Sequence, residues 1–133
     1  MVKVIDTPAT MEERALQNRQ EWPDDLDALA AAPRHHHLLF ENDLVRVLDT
    51  SVAPGETTPL HTHRWAATLY ILSASDFVRR DENGAIVLDS RTIPPIAAAT
   101  ALWSAPLAPH TLENVGDSEL HVIAVELKRE TQT

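Results

Sequence analysis

The chain has 133 residues, with 11 basic and 20 acidic side chains and a formal net charge of −9 at pH 7. This balance is the reverse of the basic footprint that nucleic-acid binding requires. The absence of cysteine excludes disulfides, thiolate metal sites and a cysteine nucleophile. The sequence shows no apolar signal stretch and no run long enough to span a bilayer, so we expect one soluble, cytoplasmic domain.

The amino-terminal region is predicted to be helical. Thr10 and Glu13 have the spacing of a capping box, which favours a first short helix. A second is predicted in the run LDALAAA, which follows two aspartates and ends at a proline. Both fall within residues 10–32. We therefore divide the chain into an N-terminal helical extension, residues 1–33, and a second region, residues 34–133.

From Arg34 onward the pattern changes to short apolar segments separated by Pro, Gly and Asn turns. Asn83-Gly84 is a strong hairpin signal, and Gly116-Asp117 predicts a second hairpin. Regularly spaced short strands with such turns predict an all-β sandwich or barrel. The predicted strands are LLFEN, LVRVLDTSV, LHTHRW, ATLYILS, DFVRR, AIVLDSR, TALWS, HTLENV and LHVIAVEL.

Histidines carry the clearest chemical signal. His61 and His63 are separated by one residue in a strand-like segment, so their imidazoles point to the same face and can bind one divalent metal. His110 begins a later strand that a barrel can bring opposite this pair, and it is the candidate third ligand. The HHH tract at residues 35–37 is not expected to form a native site, because adjacent residues of an extended chain alternate sides.

Two motifs resemble those of a known family. GETTPLHTH, from Gly55 to His63, resembles the first cupin motif, and PHTLEN, from Pro109 to Asn114, resembles the end of the second. The resemblance covers residues 38–128 and is to small single-domain, RmlC-like cupins. It implies a double-stranded β-helix, a jelly-roll barrel with a divalent ion (Fe, Ni, Zn or Mn) inside, and a homodimer.

The sequence departs from this family at one ligand. Cupins place a glutamate shortly after the second histidine, where this chain has Ala67 and Thr68, and the alignment favours Ala67 for the vacant position. The implied site is a three-histidine variant with His61, His63 and His110 as ligands. Three neutral imidazoles leave the metal charge uncompensated and positions open, which favours catalysis and anionic ligands. Thiol dioxygenases resemble this arrangement.

We therefore predict a metal-binding protein, a mononuclear metal enzyme of the oxygenase or dioxygenase type that acts on a small organic anion. One alternative is a non-catalytic module that binds a small molecule. Another is a metal-independent isomerase or epimerase, in which His63 or His121 would act with a partner such as Tyr70. Arg46 and Arg79 could each bind a substrate carboxylate. The candidate pocket residues are Arg46, Ala67, Tyr70, Arg79, Trp103 and His121.

Overall fold

The computed structural model describes residues 21–128, so nearly all of the first predicted helix lies outside the described residues. The described helical structure consists of a 3₁₀ turn at Asp24–Leu26, the short helix α1 (Ala28–Ala31) and a 3₁₀ turn at Ser90–Thr92. None of these is long and apolar enough to cross a membrane. Nine strands follow α1: β1 (His36–Glu41), β2 (Val45–Val52), β3 (His61–His63), β4 (Ala67–Ser73), β5 (Phe77–Asp81), β6 (Ile86–Asp89), β7 (Thr100–Ser104), β8 (Leu107–Asn114) and β9 (Leu120–Leu127).

The strands form two antiparallel sheets that face each other. One sheet has the order β1-β2-β9-β4-β7 and the other the order β3-β8-β5-β6. Strands β4 and β9 show why one face of the larger sheet is internal, since buried positions recur at every second or fourth residue. Side chains from both sheets line a common cavity. The predicted all-β barrel is therefore confirmed.

The two predicted hairpins have different outcomes. Asn83-Gly84 does join the paired strands β5 and β6, and Gly84 adopts φ +85°, which glycine tolerates without strain. The hairpin predicted at Gly116-Asp117 is wrong, because β8 pairs with β3 and β5 whereas β9 pairs with β2 and β4. A turn motif predicts that the chain reverses direction, but it does not predict which strand the next strand will pair with. The buried side chain of Asn114 stabilises the connection between β8 and β9 by donating to the carbonyls of Val52 and Ser118.

The segment before β1 packs into the barrel. Ala28 is completely buried in a cluster with Leu48 of β2 and Ala124 of β9, and its small side chain allows α1 to lie close to the sheet. Asp27 caps α1 by accepting a hydrogen bond from the backbone N–H of Leu29 and forms a parallel bridge with β3. The segment therefore touches both the core and the strand that carries two of the candidate ligands.

Candidate metal site

Four imidazoles meet on the inner side of the barrel. His36 begins β1, His61 and His63 lie on β3, and His110 lies on β8, where it pairs directly with His61. The ring centre of His61 is 4.4 Å from that of His110, 4.8 Å from that of His36 and 5.1 Å from that of His63. His36, His61 and His110 are at most 5% exposed. The barrel thus removes a cluster of polar rings from water.

Three of these rings could hold a metal ion. One nitrogen from each of His36, His61 and His63 lies within 4.8 Å of the others. His110 lies beside this group, with its ring centre 5.7 Å from that of His63. The structure therefore brings the predicted residues His61, His63 and His110 together and adds His36. Alternation of adjacent side chains prevents the three members of the tract at residues 35–37 from sharing one ion, but it allows His36 alone to face the cluster.

Every ring of the cluster is oriented by a hydrogen bond at Nδ1. The acceptors are backbone carbonyls for three of them: Ala32 for His36 (3.0 Å), Pro59 for His61 (2.8 Å) and Ala108 for His110 (2.7 Å). His63 uses a carboxylate oxygen of Glu126 at 2.9 Å. A carbonyl only accepts, so Nδ1 carries the proton and Nε2 keeps its lone pair. This is the arrangement of metal-ligating histidines, and the residues present fit a divalent ion.

Burial keeps three of the four imidazoles, those of His36, His61 and His110, neutral at neutral pH. Burial, followed by the nearby rings, lowers the pKa of His36 from 6.5 to about 3 and that of His61 to about 4. Burial also holds the pKa of His110 well below its ordinary value. Only a neutral imidazole can coordinate a metal, so these rings need no proton release before binding an ion at neutral pH.

A buried carboxylate lies behind His63. Glu126 is completely buried, and its second oxygen accepts from Nε of Arg46 at 2.6 Å. Burial would raise the pKa of Glu126, but hydrogen bonds from His63 and Arg46 outweigh it and the pKa is lowered. The guanidinium also donates to both oxygens of Asp27, at 2.9 and 3.0 Å, and lies 4.9 Å from the ring centre of Trp65. Glu126 is therefore an anion at neutral pH.

The cluster opens into a cavity of about 350 Å³. Most of the other side chains that line it are apolar. A ligand would therefore meet polar imidazoles at the cluster and mainly hydrocarbon surface elsewhere. Arg79 of β5 also lines this cavity. The apolar side chains of the wall include Leu69, Ile71, Phe77, Leu88, Leu102, Leu112, Leu120 and Val122.

The other candidate pocket residues separate by face. Ala67, Arg79 and Trp103 line the cavity, with Trp103 65% exposed at its rim. Thr68, one residue after Ala67, is exposed on the outer face of β4. Arg46 is buried but is not in the cavity wall, because Glu126 and Asp27 take its guanidinium.

Tyr70 and His121 lie away from the cavity. Tyr70 is 44% exposed on the outer face of β4, because it is an odd number of residues from inward-facing Ala67. His121 occupies the outer face of β9, where Nε2 lies 2.7 Å from a carboxylate oxygen of Asp49. Neither ring reaches the histidine cluster, so the expected acid/base role with Tyr70 has no geometric support.

Sequence reasoning missed two members of this site. His36 was visible as part of a histidine tract, but its inward direction depends on where β1 begins. Glu126 was visible as a charged residue in the apolar strand LHVIAVEL, two positions from inward-facing Ala124. A charge on the buried face of a strand needs a partner, and that rule could have identified it.

The lowered histidine pKa values predict how stability depends on pH. The folded values of about 3 and about 4 for His36 and His61 lie below 6.5, so protonation favours the unfolded chain. Stability of the metal-free protein is fully present above pH 6.5 and falls as the pH drops from there toward 4. Urea unfolding at pH 7, 6 and 5 measures this. His36→Gln should give a shallower decline, and a stability that rises on acidification would contradict the prediction.

Comparison with solved structures gives the relatives of this fold. A cupin domain from Bordetella pertussis Tohama I is 16% identical, with 71% of this chain and 92% of that chain covered and a TM-score of 0.57. An RmlC-like cupin family protein with a double-stranded β-helix fold from Methanocaldococcus jannaschii is 13% identical, with 69% and 77% covered and a TM-score of 0.51.

A conserved protein with a double-stranded β-helix domain from Klebsiella pneumoniae subsp. pneumoniae MGH 78578 is 17% identical, with 70% of this chain and 75% of that chain covered and a TM-score of 0.50. No protein-family model matches the sequence, and no curated protein matches it significantly. At these identities the likeness is one of fold.

Proposed function

We propose, from the cupin double-stranded β-helix fold of this chain, that it is a mononuclear metal enzyme, oxygenase-like, acting on a small organic anion. One observation carries this: the imidazoles of His36, His61, His63 and His110 are each fixed at Nδ1 and leave Nε2 available beside one cavity. A divalent ion bound there would supply Lewis acidity to a ligand in its open positions. The metal would be Fe, Ni, Zn or Mn, since imidazole suits several divalent ions.

The charges around the cluster support an anionic ligand. His36 and His61 are neutral at pH 7, and none of the four candidate ligands is a carboxylate. A divalent ion held by them would therefore keep its charge toward the cavity, while Glu126 and Asp27 share the positive charge of Arg46 behind His63. Arg79 adds a positive side chain to the cavity wall. Most of the remaining wall is apolar, so the substrate is expected to have a carboxylate or enolate at one end and a hydrocarbon body.

Elemental analysis of protein purified without a metal-affinity column tests the proposal. We expect about one divalent ion per chain. Removal of the ion by a chelator should abolish binding of a small carboxylate such as benzoate, and restoring the ion should recover it. Carboxylate binding that is equal in the metal-free and metal-loaded protein would favour a non-catalytic binding module, the first alternative.

A specific contact favours a second candidate function, a metal-independent isomerase or epimerase. His63 faces the cavity and is held by Glu126, which is the geometry of an activated general base. Such a reaction also needs an acid, and Tyr70 lies on the outer face. Solvent deuterium exchange into a carbon acid that persists in chelator would support this alternative.

We also propose that the protein is a cytoplasmic homodimer that pairs through the outer face of the five-stranded sheet. Phe40, Tyr70 and Leu72 are 52%, 44% and 44% exposed on that face. Five strands of up to eight residues span a face of about 24 Å by 27 Å. The area of this face approaches the ~800 Å² that each partner of a stable dimer buries.

Tyr70→Glu should therefore convert a dimer to a monomer in size-exclusion chromatography with light scattering. Ile86→Glu, at a position 61% exposed on the other sheet, is the matched control. A wild-type protein that is monomeric at micromolar concentration would contradict the dimer.

A further inference from the structure

The four imidazoles are held in two different ways. The Nδ1 acceptors of His61 and His110 are carbonyls two residues earlier in the chain, at Pro59 and Ala108. Their orientation therefore comes from the local backbone. The acceptor of His36 lies in the segment before β1. The acceptor of His63 is Glu126, which is connected to that segment through Arg46.

The partner of His36 is the end of α1. Its Nδ1 donates to the carbonyl of Ala32, the residue that terminates the helix and that is completely buried. A buried residue of this kind is fixed by packing. The direction in which His36 presents Nε2 therefore depends on where the end of α1 lies.

The hydrogen-bond partner of His63 is connected to the start of α1 through Arg46. The carboxylate of Glu126 accepts from His63 at 2.9 Å and from Arg46 at 2.6 Å, and it has no solvent exposure. Arg46 in turn donates to both oxygens of Asp27, which caps α1. A planar guanidinium that engages two carboxylates leaves little freedom to either of them.

We infer that the segment carrying α1 orients the rings of His36 and His63, one from each end of the helix. Asp27, Arg46 and Glu126 are then positioning residues for His63, and the carbonyl of Ala32 positions His36. The Nδ1 acceptors of His61 and His110 lie outside this segment. The inference deepens the metal site and, in its metal-binding consequence, rests on the proposed function.

Docking of α1 should also affect metal binding. If two of the four Nε2 atoms face the cavity only when α1 is docked, loss of the Asp27–Arg46 contact should weaken metal binding although neither residue touches the ion. Substitution of a residue that orients a ligand typically costs 10–100-fold in affinity.

Asp27→Ser is the informative variant, because serine keeps the helix cap but is too short to hold the guanidinium. Asp27→Asn keeps the cap and one neutral oxygen, so it provides a milder version if the serine variant does not fold. Asp24→Asn is the matched control. It removes the negative charge that faces Arg64 in the same segment, and the side chain of Asp24 is 91% exposed.

Long-range ¹H–¹⁵N spectra of the imidazoles in metal-free protein test the positioning directly. In the wild type we expect all four rings to carry the proton on Nδ1. In Asp27→Ser, His36 and His63 should become tautomer mixtures while His61 and His110 stay unchanged. Unaltered tautomers of His36 and His63, or equal changes in all four rings, would overturn the inference.

A titration with Co²⁺, followed by its visible absorption bands, provides the second readout. We expect Asp27→Ser to weaken Co²⁺ binding about tenfold and to shift the bands, with Asp24→Asn matching the wild type. A wild type that binds no Co²⁺ would overturn the proposed metal site, and the tautomer comparison would still decide the positioning inference. Equal Co²⁺ affinity and bands in Asp27→Ser and the wild type would overturn the inference.

Discussion

Replacing both His61 and His63 by alanine is expected to remove nearly all bound metal. The two rings share β3, and their nitrogens belong to the group whose members lie within 4.8 Å of one another. Losing both leaves at most His36 and His110, and substitution of orienting residues alone already costs 10–100-fold. We expect metal affinity to fall by more than about 100-fold, measured by elemental analysis after dialysis and by isothermal titration.

Two neighbouring residues offer a matched pair of single substitutions. His36 is 3% exposed and faces the cluster, whereas His37 is the next residue of β1 and is exposed. His36→Ala should therefore lower metal content, and His37→Ala should leave it unchanged. Equal metal content in the wild type and the His61/His63 double variant would mean that the cluster is not the metal site.

Ala67→Glu is expected to strengthen metal binding and weaken anion binding. Ala67 is 5% exposed, lines the cavity and pairs with Glu126 across β4 and β9. A glutamate there would add a negative charge beside the metal. At an effective dielectric constant of 20, one unit charge at 4 Å contributes about 4 kcal/mol before desolvation. We expect metal affinity to rise at least about tenfold and affinity for a small carboxylate to fall, both measured by calorimetry.

The metal-free form of this variant should be less stable. The new carboxylate would be buried near that of Glu126, and an uncompensated buried charge costs about 3 kcal/mol or more. Metal should therefore raise the melting temperature of Ala67→Glu more than that of the wild type. Thr68→Glu is the control, since Thr68 points outward. Tighter metal binding in Thr68→Glu, with none in Ala67→Glu, would contradict the assignment of the inward position.

The sequence by itself determined the class of fold and the first pair of candidate ligands. Alternation of buried and exposed side chains is a local property of a strand, so the nine strands and the common face of His61 and His63 were predictable from residue spacing. The turn at Asn83-Gly84 was predictable for the same reason, because its backbone conformation depends on two adjacent residues.

Only the tertiary structure decided which residues complete the site. His36 is 25 residues before His61 in the sequence, and Glu126 is 63 residues after His63, the ring that it contacts. Their approach depends on the pairing of β2 with β9 and on the docking of α1, which no local pattern encodes. The same holds for Arg46, predicted as a possible anion-binding residue. Its guanidinium is instead taken by Glu126 and Asp27, because a buried positive charge is stable only beside negative ones.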